Sequence, residues 1–163
     1  MSNSDAKEIE KARKYIQLAY CNAHLFSKDP HTKVGAYALT ADFSRVLATG
    51  INGQVRGIDD TNENRWVKPQ KYSFVQHAES NVVANAARTG TPLDNAVIAV
   101  TKFPCSTCTK LLVQAGIKKI YTVEPDYSNP TWGEDAKISE QILKEAGVPV
   151  VKYLPAITNT ICS

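Results

Sequence analysis

Two short motifs in this chain carry residue types that can hold a metal ion and move protons. His77-Ala78-Glu79 follows Lys71-Tyr72-Ser73-Phe74-Val75-Gln76, and Pro104-Cys105-Ser106-Thr107-Cys108 comes later; each stands at the head of a predicted helix. One imidazole and two thiolates are three good zinc ligands, and three protein ligands leave the fourth tetrahedral position for a water. That open position marks a catalytic zinc rather than a structural one. Glu79, two residues past His77, is then available to shuttle protons beside the metal. A structural zinc with Glu79 as its fourth ligand is the competing reading.

A bare Cys-x-x-Cys is shared by redox and structural zinc sites. Joined to an upstream His-x-Glu and a proline before the first cysteine, it is the established signature of zinc deaminases acting on cytosine or adenine. Removing the exocyclic amine of cytosine needs a nucleophile at C4 and protons for N3 and the departing nitrogen. Zinc lowers the pKa of water from about 15.7 to about 7, which makes hydroxide available at neutral pH. Glu79 would take that proton, deliver it to N3 and later protonate the leaving amine, a contribution of roughly 10²–10⁴-fold. The spacing agrees with a place at helix starts. The positive helix ends favour the thiolates of Cys105 and Cys108, and a separation of three puts both sulfurs on one side of the first turn. His77 and Glu79 would diverge in mid-helix, so their convergence needs the irregular geometry of an N-terminus. His24 and His31 have no partner pattern and read as structural or surface residues.

The elements that must position these motifs follow from periodicity. Ile9, Ala12, Ile16, Ala19 and Ala23 recur at helical spacing and predict a first helix over residues 5–26, ended by Ser27-Lys28-Asp29-Pro30. Strands are predicted over 34–40 and 46–51, joined as a hairpin. The polar stretch 53–70 has little periodicity and reads as a rim over the site, a subunit contact or a solvated insertion. Then the pattern alternates: a helix from His77 to Gly90, a strand over 95–103, a helix over 105–115 closed by Gly116. A strand over 119–124, a helix over 135–146 closed by Gly147 and a strand over 150–154 complete it. Such alternation implies right-handed crossovers and parallel pairing in this half. The fold class is therefore α/β, a three-layer α/β/α sandwich with a mixed sheet of about five strands. All 163 residues form one domain, with 155–163 a tail.

The chain is long enough to bury one core. Its formal net charge of +3 suits an anionic small molecule and is far from that of a dedicated nucleic-acid binder. No apolar run reaches the roughly 20 residues that span a bilayer, and no secretory signal is visible. Of the four cysteines, Cys21 reads as a small buried hydrophobe and Cys162 as exposed. A disulfide framework would compete for Cys105 and Cys108, so a reducing, cytoplasmic compartment is expected.

The sequence also resembles the deoxycytidylate (dCMP) deaminases of the cytidine deaminase-like superfamily. Beyond the zinc motifs, Ser27-Lys28-Asp29-Pro30, Val34-Gly35-Ala36, Gly50-Ile51-Asn52-Gly53, Lys71-Tyr72, Leu111-Leu112, Ala115-Gly116-Ile117, Asp126-Tyr127 and Ala146-Gly147-Val148 stand in the family's order. The resemblance implies hydrolysis of dCMP to dUMP and ammonia, with His77, Cys105 and Cys108 as zinc ligands and Glu79 as proton shuttle. It implies substrate contacts at Asn52 and Ala78, and at Lys28 and Tyr127 near the phosphate. It also implies a homo-oligomer, often a hexamer, activated by dCTP and inhibited by dTTP, with the 53–70 loop where such regulators would act. Relatives often carry an arginine before the Ser-x-Asp-Pro segment, where this chain has Phe26, so dCTP or a free nucleoside is an alternative substrate. A deaminase of single-stranded nucleic acid would need a basic or aromatic track, yet Arg45, Arg56, Arg65 and Trp66 are scattered among acidic residues. A nucleotide-binding module without catalysis is disfavoured by the retention of Glu79 and all three ligands.

Overall fold

The computed structural model describes residues 3–153. The central sheet is mixed and five-stranded, built from β1 (Gly35–Leu39), β2 (Val46–Ile51), β5 (Val97–Val100), β6 (Lys119–Val123) and β7 (Val150–Tyr153). Its strand order is β2-β1-β5-β6-β7. The pairs of β1 with β2 and β5 are antiparallel, and those of β6 with β5 and β7 are parallel. The predicted hairpin and the predicted parallel half are both present.

Alternation along the strands divides the core in two. Ile98 and Val100 face one side, with Ala36, Ala38 and Ile120. There they meet Val82 and Ala86 of α3 (Ala78–Thr89), Leu112 of α4 (Ser106–Gln114) and Leu143 of α5 (Gly133–Glu145). Val97 and Ala99 face the other side, with Leu39 and Tyr121, against Ala12 and Ile16 of α1 (Asn3–Phe26). One helix on one face and three on the other make the three layers that the apolar period of each element demands.

Two glycines set how closely the layers approach. A Cβ on Gly35 would stand 2.0 Å from the Ala19 carbonyl oxygen, so β1 runs against the α1 backbone. A Cβ on Gly50 would stand 2.1 Å from the Ala78 carbonyl oxygen and 2.7 Å from Val82 N. The end of β2 therefore lies directly against the first turn of the helix that follows His77.

The 53–70 stretch is more ordered than its polar composition predicts. β3 (Gly53–Gln54) pairs with β4 (Val75–Gln76) in a separate two-stranded sheet, and a 3-10 helix (Glu63–Trp66) and the short α2 (Lys71–Phe74) lie between them. Trp66 is buried, and its indole N–H donates to the Asp60 carbonyl at 3.0 Å. The strand predicted over 95–103 is shorter because Asn95 takes a positive φ of 60° at its entry. α5 starts two residues earlier than predicted, since the Asn129 side chain accepts from the N–H groups of Thr131 and Trp132. Cys21 is half-buried rather than fully buried, with its sulfur 3.8 Å from Gln17 Nε2. The readings of Cys162 and of the 155–163 tail fall outside the described residues.

Candidate zinc centre and substrate cleft

His77 and Cys105 are the N-caps of α3 and α4, each with an extended backbone. These are the irregular helix starts that the motif spacing requires. Cys108 lies one turn into α4, and its backbone N–H points at the Cys105 sulfur at 3.4 Å. His77 Nδ1 stands 3.5 Å from both the Cys105 and the Cys108 sulfur. The three ligand atoms lie within 4.8 Å of one another, and the Glu79 carboxylate does not join them. Both thiols are free.

The arrangement fits zinc. A tetrahedral ion with Zn–S of about 2.3 Å and Zn–N of about 2.0–2.1 Å has an N···S edge of about 3.5 Å. The N···S separations of this chain have that length already. The donor set, one borderline nitrogen and two soft sulfurs, suits the same ion. Its electrostatics favour a thiolate: the neighbouring Cys108 thiol, His77 and the Cys108 N–H bring Cys105 down to about 4. The hydrogen bond that Cys108 gives Cys105, together with burial, holds its own proton on. Hydrogen bonding to Cys105 raises His77 against the effect of burial. Ser80 Oγ stands 3.4 Å from the Cys108 sulfur and supports it from behind. Asp135 of α5 accepts from Ser106 N at 2.8 Å and Ser106 Oγ at 2.5 Å, which pins the first turn of α4.

Glu79 is 3% exposed and lines the same cleft as His77 and Cys105. Burial pushes its carboxyl up to about 7. A carboxyl poised near neutrality can both accept and return a proton at working pH. The cleft has a volume of about 340 Å³ and also receives Asn52, Ala78, Lys71, Lys102, Phe103 and Trp132. Its position beyond the carboxyl ends of β5 and β6 is where open α/β sheets generally bind ligands.

Not every residue predicted from the sequence faces this cleft. Ala78 and Asn52 do. The Asn52 amide, however, is fully engaged within the protein: Oδ1 accepts from Ser27 Oγ and Val34 N, and Nδ2 donates to Asp29 and to the Thr32 carbonyl. Lys28 and Tyr127 are absent from the cleft lining. Lys28 is exposed and pairs with Asp60 at 2.7 Å, and the Tyr127 hydroxyl meets Lys152 Nζ at 3.0 Å. Trp132 was not singled out from the sequence, yet its ring meets His77 edge-on, with centroids 6.0 Å apart, and meets Tyr72 at the same distance. The available signal was an aromatic residue just before a helix-opening glycine, downstream of Asp126-Tyr127.

Comparison with known proteins places this geometry. The family model described as the cytidine and deoxycytidylate deaminase zinc-binding region matches residues 9–124, a span holding both motifs. The chain belongs to this deaminase family. An uncharacterized deaminase from the luxG 3' region of Aliivibrio fischeri is 34% identical over 146 residues, covering 88% of this chain and 93% of that protein. The deoxycytidylate deaminase of Homo sapiens is 29% identical over 160 residues, covering 94% and 85%. Among solved structures, the dCMP deaminase from the cyanophage S-TIM5, crystallised with dCMP and dUMP, superposes with a TM-score of 0.63 at 25% identity. It covers 94% of this chain and 99% of that one. The deaminase thus shares its mixed sheet and helical layers with a protein of known fold, and its metal is the family's zinc. None of its helices, among the described residues, is long and apolar enough to cross a membrane.

Proposed function

We propose that the chain hydrolyses dCMP to dUMP and ammonia at a single zinc held by His77, Cys105 and Cys108. The observation that carries this reading is the convergence of three ligand atoms beside a buried carboxyl that is not one of them. Zinc bound there supplies a Lewis acid that brings the pKa of water down to about 7. With the ion in place, Glu79 would take one proton from the attacking water and place it on N3 of the cytosine, then take the hydroxyl proton of the C4 adduct and give it to the departing amine nitrogen, leaving a carbonyl at C4. Burial of Glu79 keeps bulk water from competing for the proton. Ala78 and the ring of Trp132 bound the space for the base, and Asn52 holds the rim by fixing Asp29, Ser27 and the backbone at Thr32 and Val34. Lys28 and Tyr127, proposed from the resemblance to lie near the phosphate, find no support in the cleft lining.

The reading includes a homo-oligomer, a hexamer by resemblance; exposed Leu25 and Phe26 at the end of α1 support a subunit contact. It also includes activation by dCTP and inhibition by dTTP. The test follows absorbance as zinc-loaded protein meets dCMP, deoxycytidine, dCTP and an oligonucleotide. Conversion of dCMP, abolished in Glu79→Ala with zinc content unchanged, is the expected result. An inert wild type with full zinc would overturn the assignment, and turnover of the oligonucleotide alone would move it to nucleic acid. Sigmoidal dCMP kinetics made hyperbolic by dCTP would support regulation, and curves unchanged by either triphosphate would remove it.

A further inference from the structure

The turn that carries Cys105 has little in its own sequence to hold it. Helices are best capped by the side-chain oxygen of serine, threonine, asparagine or aspartate, and a cysteine sulfur is a weak acceptor. Cys105 is the N-cap of α4, and its sulfur, itself a ligand atom, meets the Cys108 N–H at 3.4 Å. The first N–H groups of a helix have no partner within it, so α4 needs an acceptor from elsewhere. Asp135, in the first turn of α5, supplies one. Its Oδ2 accepts from Ser106 N at 2.8 Å and its Oδ1 from Ser106 Oγ at 2.5 Å.

A second contact lies one turn on. Thr109 and Ser139 are both wholly buried, and their hydroxyls share a hydrogen bond of 2.6 Å. Ser106 and Thr109 thus form a polar seam along α4 that meets Asp135 and Ser139 on α5. At 3.6 residues per turn, Cys105 and Cys108 lie one residue, about 100°, round from that seam. Fixing the seam therefore fixes the rotation of α4 about its axis, and with it the direction of both sulfurs. Leu112 is the buried aliphatic residue of α4, but hydrophobic contact is non-directional; the hydrogen bonds are not. The histidine arm leans on the same helix start, since Trp132, the N-cap of α5, packs edge-on against His77. That start is itself held close: a Cβ on Gly133 would stand 2.2 Å from the Tyr127 carbonyl oxygen.

We propose that Asp135 is a positioning residue for the zinc centre. Through Ser106, and with the Thr109–Ser139 contact one turn on, it sets the rotation of α4 so that Cys105 and Cys108 face His77. The proposal rests on the zinc-deaminase reading of the site and goes beyond it, because Asp135 acts through Ser106 and not on the metal. It acts by placement and not by charge.

The test measures zinc affinity of the full chain by competition with a chromophoric chelator. Absorption at saturating cobalt(II) is the second readout, because its thiolate-to-metal bands report how many sulfurs bind and in what geometry. Asp135→Ala should weaken zinc binding by about 10–100-fold and reduce the thiolate band. Asp135→Asn keeps an acceptor for Ser106 N and a donor for Ser106 Oγ, so it should retain most of the affinity and the wild-type bands. Combined with Ser106→Ala, Asp135→Ala should lose little more than it loses alone, because both changes remove one contact. Wild-type affinity and bands in Asp135→Ala overturn the proposal, and so does an additive double variant. A loss in Asp135→Asn equal to that in Asp135→Ala overturns it too, since charge would then be what matters. Where Asp135→Ala fails to fold, Ser106→Ala alone decides: a smaller loss of affinity with an altered thiolate band supports the proposal, and no change overturns it. None of these readouts depends on turnover, so a chain that binds zinc as expected but leaves dCMP unchanged sinks the dCMP reading and not this one.

Discussion

Lys71 Nζ lies 2.7 Å from Asp29 Oδ2 and 2.8 Å from Oδ1, in a pair in which the Asp29 side chain is wholly buried. It joins the Ser-Lys-Asp-Pro segment to the residue that opens α2 at the rim of the cleft. His31 N, Thr32 N and Asn52 Nδ2 complete the shell around the carboxylate. Three separated sequence segments thus meet at one ion.

Breaking this pair should cost far more than a surface salt bridge. Lys71→Met leaves a buried carboxylate without its counter-charge, and chemical denaturation should show a loss of about 3–5 kcal/mol. Asp29→Asn combined with Lys71→Met should be less damaging than Lys71→Met alone, because the double variant buries no charge. Equal losses in the two variants would show that the charge is not what matters.

The same pair predicts acid sensitivity. Burial opposes the charged form of Asp29, but the hydrogen bonds from Lys71, His31 and Thr32 outweigh it and hold the carboxyl below its ordinary value of 3.8. The stabilisation is therefore complete above that value and is lost as pH falls through the lowered folded value. Denaturation followed from pH 6 into the acid range should show the fall in wild type and a smaller one in Asp29→Asn.

Gly50→Ala should disturb the metal centre without touching a ligand. The added methyl meets the Ala78 carbonyl oxygen and Val82 N, both backbone atoms that cannot swing aside. The first turn of α3 must shift, at a cost of about 1–3 kcal/mol. Zinc content should fall together with stability. A variant with wild-type zinc and wild-type melting temperature would show that β2 does not hold the helix start.

Trp132→Ala removes the ring beside His77 and opens the cleft to water. Aromatic contacts of this kind are worth about 0.5–1.5 kcal/mol, so KM for dCMP should rise several-fold with kcat less affected. Trp132→Phe should recover most of the loss. A fall in kcat alone would place the ring nearer the proton transfers than to substrate binding.

Chelation should abolish activity and lower the melting temperature, since a ligand that binds only the folded state stabilises it by mass action. Added zinc should restore both. Cys105→Ser and Cys108→Ser should each behave like the chelated wild type even with zinc in excess.

Much of this was legible in the sequence because it is local. The Cys-x-x-Cys turn, the His-x-Glu helix start and the strand–helix alternation each sit within a few residues, where spacing reports directly on geometry. The Asp29–Lys71 pair spans 42 positions, and no periodicity announces it. Trp132 escaped for the same reason: its partners His77 and Tyr72 lie far upstream in the chain. Asn52 shows the reverse relation. The family resemblance implies a substrate contact there, and only the folded neighbourhood reveals that its amide is bonded to the protein through both Oδ1 and Nδ2.

The small sheet formed by Gly53–Gln54 and Val75–Gln76 brackets the excursion between them and ends one residue before His77. Both feet of that excursion are stapled together, so its length is decoupled from the coordination sphere. Residues can be added to or taken from its outer part for little loop-closure entropy, and the imidazole keeps its station. The chain thereby carries a region open to evolutionary experiment, fastened next to chemistry that tolerates none.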